Sequence, residues 1–91
     1  MDKLETKTLN DGEKTTITNG RVQDITSGGD KTTTVDGNEE HHVTDKNNEN
    51  YDSGQDTTIA SGGMKVNVNG GNWEQNVKSG TISIYSLISL K

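Results

Sequence analysis

ITNGRVQDITSGG, at residues 17–29, holds two copies of one short unit. Each copy starts with an isoleucine, Ile17 or Ile25, and reaches a glycine three positions later, at Gly20 or Gly28. β-Branched residues favour extended strands, whereas glycine accepts the positive φ of a tight turn. The unit is therefore predicted to form a short strand followed by a turn.

The same unit recurs along most of the chain at spacings of seven to ten residues. Each repeat begins with one apolar residue, called here a leading residue, and most repeats carry a glycine a few positions later. Regular self-similarity of this kind is the signature of a repeat protein, in which each unit contacts its neighbours. The leading residues are Leu9, Ile17, Ile25, Val35, Val43, Tyr51, Ile59, Val68, Val77 and Ile84.

The repeat predicts an all-β fold, namely a small single-domain β-solenoid, also called a β-helix. Two units form one rung of roughly 16–19 residues, which gives about 4–5 rungs stacked by parallel hydrogen bonds. Alternate residues of a strand share a face, so the residue two before each leading residue is expected to point inward as well. Glu49 holds such a position and counts against a regular rung there. The leading residues are expected to form two core columns, with Leu9, Ile25, Val43, Ile59 and Val77 on one side and Ile17, Val35, Tyr51, Val68 and Ile84 on the other.

Composition limits what this chain can form. Of its 91 residues 24% are hydrophobic and 25% are charged, with no Cys and no Pro. Such a chain lies near the disordered class, because it has little apolar surface to offset its conformational entropy. A repeat fold with a thin core is the ordered alternative. The absence of Cys excludes disulfides and thiolate metal sites, and the absence of Pro leaves every backbone N–H available for a β-ladder.

The two ends of the chain differ from its middle. Residues 1–8 are rich in charge and are predicted to cap the first rung, residues 9–80 form the repeats, and residues 81–91 form an apolar terminal strand. This last stretch either folds over the final rung as a cap, covers part of a partner, or pairs with a second copy in a two-fold homodimer. The residues predicted for that oligomer interface are Tyr85, Leu87, Ile88 and Leu90.

Two stretches, TTITNGRVQDITSGG and TTIASGGMKVNVNGG, carry a resemblance to a known family. Their Thr-, Asn- and Gly-rich pattern resembles the passenger repeats of AIDA-type autotransporter adhesins. The resemblance implies a β-solenoid and a role in surface adhesion. The chain departs from the family in its charged middle segments, NEEHH and DKNNEN, and in an N-terminus without the apolar region of a secretion signal. A cytoplasmic location is therefore expected, or an extracellular one for an adhesin fragment.

Charge is distributed unevenly along the sequence. The chain carries a net charge of −5, but residues 11–56 hold eleven acids and four bases. The densest part, residues 36–56, is called here the acidic segment. Its surface argues against direct nucleic-acid binding and favours a partner protein with a basic surface, including a nucleic-acid-handling complex. Its seven acids are the predicted partner-binding residues, Asp36, Glu39, Glu40, Asp45, Glu49, Asp52 and Asp56.

Candidate catalytic and metal sites are weak in this sequence. His41 and His42 lie among carboxylates, but neighbouring strand residues point to opposite faces and do not readily share one ion. Residues 45–56 place oxygen ligands at spacings similar to a calcium loop, yet lack its central glycine and final glutamate. No nucleophile, acid–base pair or phosphate-binding loop has the required spacing. The sequence therefore predicts no enzyme, no cofactor and no metal site.

These observations lead to three functional hypotheses, of which the last is a designed or purely structural repeat without a binding role. The first is a non-enzymatic protein that inhibits or occludes a partner through its acidic surface, similar in character to small phage inhibitors of the anti-CRISPR or DNA-mimic type. Its small size, net negative charge and lack of a catalytic constellation favour this interpretation. The alternative is a fragment of an autotransporter adhesin passenger that acts in surface adhesion.

Overall fold

The computed structural model describes residues 4–87, and these contain neither an α-helix nor a β-strand. The predicted β-solenoid, or β-helix, is therefore wrong for the single chain. The protein divides into two units, Met1–Lys46 and Asn47–Lys91. Within each unit, no two described residues twelve or more positions apart bring their Cα atoms within 8 Å. Stacked rungs would place such residues about 4.8 Å apart.

The predicted core columns are also wrong, because no described residue is buried. The accessible surface of the chain is 10801 Å². By comparison, a folded monomer of its mass, 9.8 kDa, exposes about 5,200 Å² and an unfolded chain about 14,200 Å². Each unit is thus an extended, non-compact chain, and its apolar residues have no interior to enter.

Unequal repeat lengths give a physical reason why the rungs do not stack. In the column that begins at Leu9, successive leading residues are separated by 16, 18, 16 and 18 positions. A solenoid places equivalent residues of neighbouring rungs directly above one another. Rungs that differ by two residues cannot do this unless the extra residues bulge out and lose ladder hydrogen bonds.

In the unit Met1–Lys46 the backbone bends shortly after every leading residue. Gly12, Gly20 and Gly28 follow their leading residues by three positions, and all three have positive φ. The prediction of a glycine turn after the leading residue is therefore confirmed for these repeats. The repeats that begin at Val35 and Val43 also bend, but without a residue at positive φ.

The turn at the end of residues 17–29 is the most tightly built. Ser27 and Gly28 have φ values of 60° and 75°, and the N–H of Gly29 donates to the carbonyl oxygen of Thr26 at 3.2 Å. Positive φ at both central residues is typical of the type I′ turn. A Cβ atom on Gly29 would lie 2.9 Å from Cγ2 of Ile25, so only glycine fits beside the leading residue without displacing it.

The unit Asn47–Lys91 repeats the same pattern. Gly54, Gly62, Gly71 and Gly80 each lie three positions after a leading residue, and each has a φ between 81° and 137°. The backbone bends at or just before these glycines. Both units therefore combine a regular local geometry with no packing between distant repeats of the same unit.

Nine of the ten leading residues share nearly the same exposure. These nine, called here the apolar stripe, are between 45% and 53% exposed, whereas the tenth, Ile84, is 68% exposed. Val66 and Ile82, each two positions before a leading residue, are 50% and 48% exposed, and Val22 is 86% exposed. Each stripe side chain is half covered by its own local chain, as the approach of Ile25 to Gly29 illustrates. The members of the stripe are Leu9, Ile17, Ile25, Val35, Val43, Tyr51, Ile59, Val68 and Val77.

Candidate binding segment

The acidic segment spans the boundary between the two units, so its two parts are described separately. Residues 36–46 contain Asp36, Glu39, Glu40 and Asp45, and residues 47–56 contain Glu49, Asp52 and Asp56. All seven side chains are exposed. The predicted partner-binding residues are therefore accessible to solvent. In neither part is any of them buried, so they do not line an enclosed site.

Glu49 is the centre of a small hydrogen-bonded cluster. Its carboxylate accepts a bond from the Tyr51 hydroxyl at 2.6 Å and another from Nδ2 of Asn47 at 3.1 Å. The three residues alternate along an extended stretch of chain, and alternation places them on one side. Glu49 thus lies on the side of the leading residue Tyr51, as the period of two predicts. The sequence analysis did not predict these hydrogen bonds, although an acid and a tyrosine two positions apart on an extended chain indicate such a bond.

The Glu49 carboxylate raises the pKa of Tyr51 above its ordinary value of 10.0. The main cause is the hydrogen bond, which holds the proton on the phenol, and the second is the negative charge of the carboxylate. The Tyr51 hydroxyl is therefore the donor of this bond at neutral pH, well below its pKa.

The histidine pair does not converge on one point. Nε2 of His41 lies 3.3 Å from a carboxylate oxygen of Glu39, again at a separation of two residues. Across residues 4–87, no group of three or more His, Cys, Asp or Glu side chains is arranged to hold a metal ion. The calcium-like spacing of residues 45–56 therefore has no matching cluster of carboxylates in the described structure.

Near the N-terminus, an ion pair joins Lys7 to Glu13 across the turn that follows Leu9. Nζ of Lys7 lies 2.9 Å from Oε2 of Glu13, and both side chains are largely exposed. Exposed pairs of this kind stabilise a protein by about 0–1 kcal/mol. The Lys7–Glu13 ion pair therefore contributes little to the stability of the protein beyond bridging the first turn.

The C-terminal interface predicted from the sequence is only partly visible. Tyr85 and Leu87 are 92% and 105% exposed, so neither packs against the preceding repeats. Ile88 and Leu90 lie outside the described residues. No helix of the described chain is long and apolar enough to cross a membrane. The homodimer edge at residues 81–91 stays a prediction.

Comparisons with known proteins identify no relative of this chain. No family model matches the chain, and no curated protein and no solved structure is significantly similar to it. The likeness to adhesin passenger repeats therefore stands on the two quoted stretches alone.

Proposed function

We propose that the protein is a non-enzymatic binding protein whose acidic segment pairs with a basic surface of a partner protein. The observation that carries this proposal is the concentration of seven carboxylates, all exposed, within residues 36–56. They are held on a backbone that bends at regular intervals, and the segment contains a single base, Lys46. Exposed carboxylates of one sign draw a basic partner toward the segment before contact is made.

The spacing of the charges decides which basic partner fits. Residues 36–46 carry a net charge of −3 across ten residue intervals, and residues 47–56 carry a net charge of −3 across nine. At about 3.3 Å per residue, each extended part carries one net charge per roughly 10–11 Å. Duplex DNA carries one per about 1.7 Å of axis. A single chain is therefore too dilute in charge to imitate a duplex, and its carboxylates suit separate Lys or Arg side chains instead.

The adhesin alternative loses its main support in this structure. Its argument depended on the solenoid that the resemblance implied, and the single chain does not form one. Adhesion is therefore not proposed for this protein.

A charge-reversal experiment tests the binding proposal. One variant changes four acids of the segment to lysine, Glu39, Glu40, Asp52 and Asp56. A matched variant changes four acids outside it, Glu5, Asp11, Asp24 and Glu74. Both move the net charge from −5 to +3, because each change adds two units.

The wild type and both variants are immobilised and exposed to a lysate of the organism that encodes the protein, and the captured proteins are quantified by mass spectrometry. The proposal expects the first variant to lose the partners held by the wild type and the second to keep most of them. Equal loss in both would show a dependence on overall charge alone. Retention of the same partners by the first variant would exclude the acidic segment as the binding site. Circular dichroism and mass of each variant control for structural change.

A further inference from the structure

We propose that the apolar stripe is covered by other copies of this chain, which lie parallel to it and in register along its length. The protein would then be a homo-oligomer whose backbone groups pair between copies. This proposal goes beyond the acidic binding function and does not depend on it.

The first argument is the stripe itself. Five stripe residues in the unit Met1–Lys46 and four in the unit Asn47–Lys91 have similar exposure, and seven of the nine are followed three positions later by a glycine at positive φ. Within each unit, no distant described residue approaches to cover them. In each unit, such a series of half-exposed apolar side chains marks a surface that is covered in the working assembly. Every copy of the chain carries the leading residues at the same positions, so a second copy presents the same series of apolar side chains.

The second argument comes from the backbone. Among residues 4–87 a single backbone–backbone hydrogen bond is formed, from Gly29 to Thr26. Extended backbone presents N–H and C=O groups to either side, which is the template for pairing with another chain. The chain has no Pro, so the backbone N–H groups of every repeat can donate hydrogen bonds. Copies of an extended, regularly bent chain can therefore satisfy these groups in one another.

The third argument is the amount of surface. The chain exposes 10801 Å², about 5,600 Å² more than the roughly 5,200 Å² of a folded monomer of this mass. Obligate interfaces bury about 2,000–5,000 Å² or more in total, which is about 1,000–2,500 Å² per partner. The excess surface of one chain is thus more than enough to supply an obligate interface, and enough for a chain with a copy on either side.

The fourth argument concerns the register. A copy shifted by one eight-residue repeat would keep five of the nine stripe residues opposite another stripe residue, but would set Ile25 opposite Thr33 and Ile59 opposite Asn67. An antiparallel copy aligned at its two ends, with Leu9 opposite Ile84, would set Ile17 opposite Asn76. In the parallel arrangement without shift, every leading residue meets its own equivalent, at the cost of setting each acid of the acidic segment opposite itself. The unequal repeat lengths that prevent stacking within a chain therefore favour one register between identical chains.

A matched pair of substitutions tests the coverage of the stripe. Val68→Asp places a carboxylate in the stripe, where Val68 is 45% exposed, and Val22→Asp makes the same change at a position that is 86% exposed. Sedimentation equilibrium of the full chain should give at least two times 9.8 kDa. The first variant should weaken association by more than about tenfold and the second by less than about twofold, because burying an unpaired charge is costly. A wild type of single-chain mass, or equal effects of both variants, would overturn the proposal.

Cysteine cross-linking tests the register independently of any loss of structure. The chain contains no Cys, so Ile17→Cys and Asn76→Cys each introduce one thiol. Parallel copies in register bring identical positions within the reach of a disulfide, as neighbouring strands lie about 4.8 Å apart. Each variant alone should therefore form linked dimers, and a mixture should contain few 17–76 links. Predominant 17–76 links, or equal amounts of all combinations, would overturn the parallel register.

Discussion

Replacing Gly20 with alanine probes the turns on which the repeat depends. Gly20 has a φ of 114°, and an added Cβ would have nothing within 4 Å. The substitution therefore creates no steric clash with neighbours, and its effect comes from the backbone alone. A non-glycine residue at such an angle costs on the order of 1–3 kcal/mol. We expect Gly20→Ala to destabilise the ordered state by about that amount per chain.

Gly37 supplies the matched control. It also has open space around its Cα, but its φ lies outside the left-handed region. Gly37→Ala should stabilise the ordered state by about 0.4–1 kcal/mol, because alanine reduces the conformational entropy of the unfolded chain. Urea unfolding followed by circular dichroism measures both variants. Protein concentration is held constant, because the stability of an oligomer depends on it. Equal effects of the two substitutions would refute the claim that Gly20 holds a fixed left-handed turn.

Three further predictions concern the stripe, the acidic segment and Tyr51. Gly29→Ala should displace Ile25 and weaken self-association, measured by sedimentation, whereas an unchanged association constant would show that the close approach is unimportant. Added salt should strengthen self-association, since copies in register bring identical acidic segments together and salt screens their repulsion; weakening by salt would contradict this alignment. In a Tyr85→Phe background the remaining tyrosine should ionise above pH 10.0, and Glu49→Gln should lower its pKa; ultraviolet absorbance of the phenolate follows both. Because the raised pKa belongs to the hydrogen-bonded phenol, any stability from this pair is present below pH 10.0 and is lost as the pH rises through the raised pKa.

Local features of the chain were predictable from the sequence because local chemistry determines them. The run from Ile17 to Gly29 correctly indicated a leading residue followed by a left-handed glycine. The side shared by Glu49 and Tyr51 also followed from the alternation of an extended chain. Such features depend on a few adjacent residues, so no knowledge of distant contacts is needed.

The arrangement of the repeats in space was not predictable in the same way. A leading residue and a glycine specify where the chain bends, but not whether the next repeat packs on its own chain or on another one. The spacing of the leading residues held relevant information, since the interval from Ile25 to Val35 is ten residues where its neighbours are eight. The prediction of a solenoid gave too little weight to this irregularity.

The candidate binding segment shows the same limit. Its position and charge were evident in the sequence, and its side chains are exposed as expected. Within each unit the carboxylates are spread along an extended chain, because no distant repeat of that unit packs beside them.

The mass of the full chain in solution, measured together with its strand content, tests the central claim most directly. Sedimentation equilibrium and far-ultraviolet circular dichroism on the same sample give both quantities. The account predicts a mass of at least two times 9.8 kDa accompanied by a β-strand spectrum. A single-chain mass, whether the spectrum is ordered or not, would contradict the claim that other copies of the chain cover the apolar stripe.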